Sequence, residues 1–209
     1  MVRRLKQLAS AEVEIPRLPL STNDAVALMT IHAAKGLEWP VHLALERKIH
    51  DVEKLASFDV ALGLESVMEA LQLAKRFDEV ENFAPFRQAK TQWEQPITLS
   101  IGRLTLNGIV DLLGPDWVLD FKTDQEFTPQ HHRFQLWAYA QATGRTTAHI
   151  AYLRHNCLHT FNEEDLQTTA QEAEILVQQI LAGDYSAVPS PANCSFCAYA
   201  DICEVSYQG

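Results

Sequence analysis

Apolar residues alternate with polar ones through the middle of the chain and fall into three- and four-residue spacing on either side. Ile97, Leu99 and Ile101 alternate, as do Leu104 and Leu106, which predicts an antiparallel strand pair with one buried face. Two more runs, GIVDLL (108–113) and WVLDFK (117–122), flank the turn residues Gly114, Pro115 and Asp116 and read as strands joined by a tight loop. Further strands are predicted over 147–154 and 157–161. Helical spacing covers 62–79. A helix over 128–142 opens with Thr128 as N-cap and Pro129 at its first position, and stops at Gly144. The last long helix, 162–182, has Asn162 as cap and three acids in its first turn, where the helix dipole favours them. The order is helix, three strands, helix, two strands, helix, an α/β arrangement.

Two of the strand runs carry chemistry. Side chains alternate across a strand, so Asp120 and Lys122 share one face while Leu119 and Phe121 take the other, and Asp111 on the preceding strand can lie opposite them. Two carboxylates held close in a partly buried cleft repel each other unless a hard divalent cation with oxygen ligands, Mg²⁺ or Mn²⁺, joins them. A lysine on the same face then holds an attacking water or neutralises charge on a phosphate. The alternative is a surface hairpin with a cross-strand Asp-Lys pair.

Composition bounds the rest. The chain has 209 residues, 47% of them hydrophobic, enough for one domain with attachments. No apolar run approaches the roughly 20 residues of a membrane span and the N-terminus lacks a signal-type apolar segment, so the expected location is the cytoplasm. The formal charge of −10 disfavours nucleic acid overall, but all 17 Lys and Arg lie in residues 1–154, against 19 of the 27 acids. A phosphate-contacting surface has to come from that part.

The runs GIVD (108–111) and LDFKTD (119–124) and the later QLWAY (135–139) resemble the RecB-family nuclease domain of the PD-(D/E)xK superfamily, found at the C-termini of AddA and RecB helicase-nucleases. The resemblance covers about half the chain. It implies a restriction-endonuclease-like core, a central mixed sheet flanked by helices, and metal-dependent hydrolysis of DNA, with exonuclease action the first expectation. Carried over by position, it implies that Asp111 and Asp120 bind the metal with the Phe121 carbonyl, that Lys122 assists the nucleophile, and that Gln135 and Tyr139 line the DNA side. Glu94, in an E-x-P opening, is a further metal candidate. Family members usually open an earlier helix with G-(T/S)-x-x-H and take a metal-site histidine from it. Here Gly63 is present and the histidine is not; Glu65 and Glu69 are oxygen-bearing residues on the same helix.

MTIHAAKGLEWP (29–40) resembles a signature of UvrD-like and AddA-like helicases, with Thr30, His32, Lys35, Gly36 and Glu38 at matching positions and a DNA-contacting role implied for Thr30, His32 and Lys35. No G-x-x-x-x-G-K-(S/T) phosphate loop occurs, so ATPase activity is not expected. Residues 1–48 therefore read as a helicase remnant, a strand and helix packed on the nuclease core, residues 49–190 as the nuclease domain and residues 191–209 as a cysteine-containing tail. Cys194, Cys197 and Cys203 have C-x₂-C-x₅-C spacing, and this tail is similar to the one that holds a 4Fe-4S cluster in AddB-like nucleases. Cys157 completes such a set only if the fold brings its strand to the tail; zinc, a three-cysteine site and an unligated tail are alternatives. Two functions stay open: a DNA nuclease, and an inactive nuclease-fold module that binds DNA or docks to a helicase subunit.

Overall fold

Alternation and turn chemistry build the centre of the molecule. In the computed structural model, which describes residues 26–29, 38–56, 64–195, 197 and 199–207, the strands are β1 (Val26–Met29), β2 (Gln92–Ile101), β3 (Leu104–Leu113), β4 (Trp117–Lys122), β5 (Thr147–Tyr152) and β6 (Cys157–Phe161). The principal helices are α1 (Glu38–Arg47), α2 (Val52–Ala56), α3 (Leu64–Glu79), α4 (Ala84–Gln88), α5 (Arg133–Thr143), α6 (Glu163–Leu181) and α7 (Pro191–Ser195). All six strands form one mixed sheet in the order β1-β3-β4-β5-β6, with β2 also paired to β3. The β1–β3 and β4–β5 pairs are parallel and the others antiparallel.

Each face of the sheet is closed by helices. On one, Val41 and Leu45 of α1 and Val67, Leu71 and Phe77 of α3 pack on Leu112, Leu119 and Phe121. On the other, Leu136 and Trp137 of α5 and Leu166 and Ala173 of α6 pack on Val110, Val118, Ile150 and Tyr152. Burying each large side chain here contributes about 1.5–3 kcal/mol. Segments 26–29 and 38–47 are part of this packing: β1 extends the sheet along β3, and Val41 and Ala44 are fully buried.

The caps hold with one exception. Asn162 accepts from the Asp165 amide while Asp165 accepts from the Asn162 amide, a capping box that starts α6. Gly144 closes α5 at φ 66°, in the left-handed region that glycine enters without cost. Thr128, expected as an N-cap, makes no side-chain cap bond. Pro129–His132 form a 3₁₀ turn instead, and the α-helix begins only at Arg133. Strand β5 ends at Tyr152, two residues short of the expected end, where the chain turns through Asn156 at φ 52°.

The β2–β3 ladder changes face part-way. Trp93 pairs with Leu112, and both pack under α1 and α3; Gln95 pairs with Val110, and Val110 packs under α5 with Ile97 and Leu99. In a regular strand, residues two or four apart share a face. The inversion falls on the residues between those two pairs, Glu94 and Asp111, and Glu94 carries a positive φ of 48°.

Candidate active site

β2 holds one edge of β3 throughout, so β1 and β4 share the other edge at opposite ends. β1 pairs with Leu104–Asn107 and β4 with Leu112 and Leu113, and Gly108–Asp111 face the opening between them. Asp111 stands at the face inversion and turns its carboxylate along the sheet, where Oδ2 accepts the Phe121 amide at 2.8 Å. The N–H and C=O of one strand residue point to the same edge, so the Phe121 carbonyl is directed into this opening as well. The Lys122 carbonyl belongs to the other edge and accepts from Leu153 N.

Alternation on β4 does what the pattern predicts. Leu119 and Phe121 enter the core under α3, while Asp120 and Lys122 point to the α5 side and are almost fully buried, at 1% and 6% exposure. Lys122 Nζ lies 2.8 Å from Asp120 Oδ2, a buried ion pair between two residues on the same strand face. Burial pushes the Asp120 carboxyl up to about 6; Lys122 opposes this and Asp111 adds to it.

Helix α5 supplies the opposite wall. Gln135 and Tyr139, four residues apart, share a face. Gln135 Nε2 donates to Asp120 Oδ1 at 3.0 Å and to the Tyr139 hydroxyl at 2.9 Å, and its Oε1 accepts from Lys122 Nζ at 3.4 Å. Burial, with the charge of Asp120, raises the Tyr139 pKa far enough to keep the phenol neutral. Gly108 makes room for the ring: a Cβ there would lie 3.0 Å from Tyr139 Cε1.

The structure thus brings together Asp111, Asp120, Phe121, Lys122, Gln135 and Tyr139. It leaves other candidates apart. Glu94 is level with Asp111 on β2, yet it is exposed, and among the described residues no three His, Cys, Asp or Glu side chains are placed to hold a metal ion. Among the described residues the cysteines form no such group either. Cys157 packs partly buried against the core under α5 and α6, which raises its thiol pKa, and all four cysteines are free. Cys194 and Cys203 do line one hollow of about 500 Å³ in the tail, where the Tyr207 amide donates to Cys194 Sγ and lowers its pKa. Thr30, His32, Lys35, Gly36 and Gly63 lie outside the described residues. Val67, four residues after Gly63, where the histidine would stand, is fully buried in the α3 core.

Asp124, His132 and Tyr152 have no role in the sequence pattern. His132 Nε2 is 3.0 Å from Asp124 Oδ2, and its ring lies 6.3 Å from that of Tyr152, the register partner of Lys122. The two members of this hydrogen-bonded pair are eight positions apart, so no strand or helix periodicity links them.

A six-stranded mixed sheet between helix layers, with an aspartate, a D-x-K strand and a Gln/Tyr helix converging at one opening, is a restriction-endonuclease-like α/β fold. The chain matches the PD-(D/E)XK nuclease superfamily over residues 22–204 and belongs to it. A putative exonuclease from Eubacterium rectale shares the fold at 15% identity and TM-score 0.54, over 83% of this chain and 75% of that one. The crystal structure of SSO0001 aligns over 100% of this chain and 98% of its own at 15% identity and TM-score 0.47. No curated protein matches.

Proposed function

We propose that the chain is a metal-dependent deoxyribonuclease of the RecB/AddA type, acting as an exonuclease on phosphodiester bonds in DNA repair or recombination. The observation that carries this is the convergence of two carboxylates, Asp111 and the buried Asp120, on one opening beside the Lys122 cation. Lys122 balances one of the two negative charges and a hard divalent cation would offset the other, so the oxygen donor set fits Mg²⁺ or Mn²⁺. Asp111, Asp120 and the Phe121 carbonyl would hold the ion, with Glu94 an outer candidate. When bound, it supplies Lewis acidity at the phosphate and a water of lowered pKa. Lys122, with its cation held beside Asp120 and Gln135, orients the attacking water and offsets charge developing on the phosphate. Gln135 fixes Asp120 and Lys122 relative to each other, and Tyr139 fixes Gln135.

In this reading residues 49–190 are the nuclease domain and residues 191–209 its tail. Residues 1–48 are the helicase-like remnant whose Thr30, His32 and Lys35 contact DNA, and a helicase subunit is the natural partner. The address is cytoplasmic. A second reading, an inactive DNA-binding or helicase-docking module, is favoured by the buried Val67 at the position where the resemblance to RecB-family nucleases implies a histidine. Digestion of linear single- and double-stranded DNA with Mg²⁺ or Mn²⁺, beside Asp120→Ala and Lys122→Ala, separates the two. Degradation that both variants abolish supports the nuclease; intact DNA at high protein concentration with either metal rejects it.

A further inference from the structure

Between the D-x-K strand and α5 the chain carries Phe127, a ring 48% exposed in the loop that leads from Lys122 to Gln135. It is held in place. Its centroid lies 4.7 Å from that of Tyr152, 6.2 Å from that of His155 and 6.1 Å from that of His159. Tyr152 beneath it is fully buried and is the parallel-register neighbour of Lys122, on the same sheet face as Asp120. Neighbouring strands run about 4.8 Å apart, so the supported ring stands one side chain beyond the lysine.

We propose that Phe127 is a stacking shelf for one unpaired base of single-stranded DNA, the nucleotide next to the phosphate that reaches Asp120 and Lys122. This rests on the nuclease reading above for the placement of that phosphate. A half-exposed aromatic held by three rings offers a fixed π-face with little conformational entropy left to lose on binding. Glu126, the exposed residue next to it in the loop, is acidic and disfavours phosphate there, so the contact is with a base and not with the backbone. Bases inside a duplex are already stacked on both faces. The shelf therefore selects unpaired or frayed ends.

Binding tests this without cleavage. Anisotropy of a short labelled oligothymidylate and of a blunt duplex is measured in Ca²⁺ and in EDTA for the full chain and for Phe127→Ala, Phe127→Leu and Phe127→Trp. Losing one stacked base is expected to weaken single-strand binding about tenfold in the Ala and Leu variants, with duplex binding and the salt slope unchanged and Trp restoring the affinity. An abasic nucleotide at the stacked position should weaken wild-type binding to the same extent and Phe127→Ala no further. Should Phe127→Ala melt early, Leu against Trp carries the comparison. Equal affinity of all four proteins for the single strand, or a matching loss on duplex, overturns the proposal. If the pattern holds while Mg²⁺ and Mn²⁺ support no cleavage by wild type, the shelf stands and the nuclease reading fails.

Discussion

The Phe121 amide donates to the Asp111 carboxylate at 2.8 Å, just where the β3–β4 ladder stops after its Leu112–Leu119 pair. A side chain takes over from the backbone, the strands part, and the opening so made is the one that Asp120 borders. Asp111 is thus both a structural acceptor and a proposed ligand, and two substitutions separate the roles. Asp111→Asn keeps an oxygen for the amide and should fold with little loss, yet lose about 10²–10³-fold in DNA hydrolysis. Asp111→Ala removes the acceptor and should cost a further 1–3 kcal/mol or so in urea denaturation. Equal stability of the two variants would show that the amide bond contributes nothing.

Gln135 connects three groups, Asp120, Lys122 and Tyr139. Replacing it with Leu strands Asp120 Oδ1 and loosens Lys122, and should cost about 1–3 kcal/mol of stability and at least tenfold in kcat. Tyr139→Phe removes only the hydroxyl that accepts from Gln135 and should cost less in both. The double variant should fall near Gln135→Leu alone, because the tyrosine acts through the glutamine. Additive losses, read from single-turnover kinetics, would reject that order.

Much of this was legible in the chain because it follows from period two. Alternation alone sent Asp120 and Lys122 to one face and Leu119 and Phe121 to the other, and separated Ile97, Leu99 and Ile101 from their polar neighbours. The capping of α6 by Asn162 and the stop at Gly144 were legible for the same local reason. The face inversion at Glu94 and Asp111 was not: it is a property of two paired strands, and a glutamate at positive φ leaves no mark in hydropathy. Nor was the Phe127–Tyr152–His155–His159 grouping, which joins a loop to two strands through tertiary packing.

Asp120 and His149 should pull stability in opposite directions between pH 4 and 6. Burial raises the Asp120 pKa from 3.8 to about 6, so in the metal-free protein its proton binds more tightly in the folded state and stability falls as pH rises through that window. His149, whose Nδ1 lies 2.9 Å from the Thr160 hydroxyl and whose ring packs against Phe86, is lowered from 6.5 to about 4 by burial. Its contribution is present above pH 6.5 and lost as pH falls toward 4. Each slope is at most about 1.4 kcal/mol per pH unit, and in the wild type they offset. Melting in EDTA should therefore be nearly flat in this range for wild type, rise on acidification for His149→Asn and fall for Asp120→Asn. Mg²⁺ or Mn²⁺ should raise the wild-type Tm at neutral pH, where the Asp120 charge is costly, and leave Asp120→Asn unmoved. Parallel profiles for all three proteins would reject both assignments.

Gly108 links the strand to the helix that faces it. A methyl group there would lie 3.0 Å from Tyr139 Cε1 and 3.7 Å from Ile97 Cδ1, so Gly108→Ala fits only if the tyrosine ring shifts by a few tenths of an ångström. Tyr139 is nearly fully buried among close-packed neighbours and its hydroxyl is bonded to Gln135, so the shift passes to the groups that hold Asp120 and Lys122. The glycine has no positive φ to protect, and alanine lowers the entropy of the unfolded chain; the net stability change should stay within about 1 kcal/mol. Activity should fall further than stability, by about tenfold or more in kcat with KM for DNA little changed. Gly108→Ala combined with Tyr139→Leu, which vacates the ring edge, should lose no more activity than Tyr139→Leu alone. If the alanine costs the same activity in both backgrounds, its effect does not run through Tyr139.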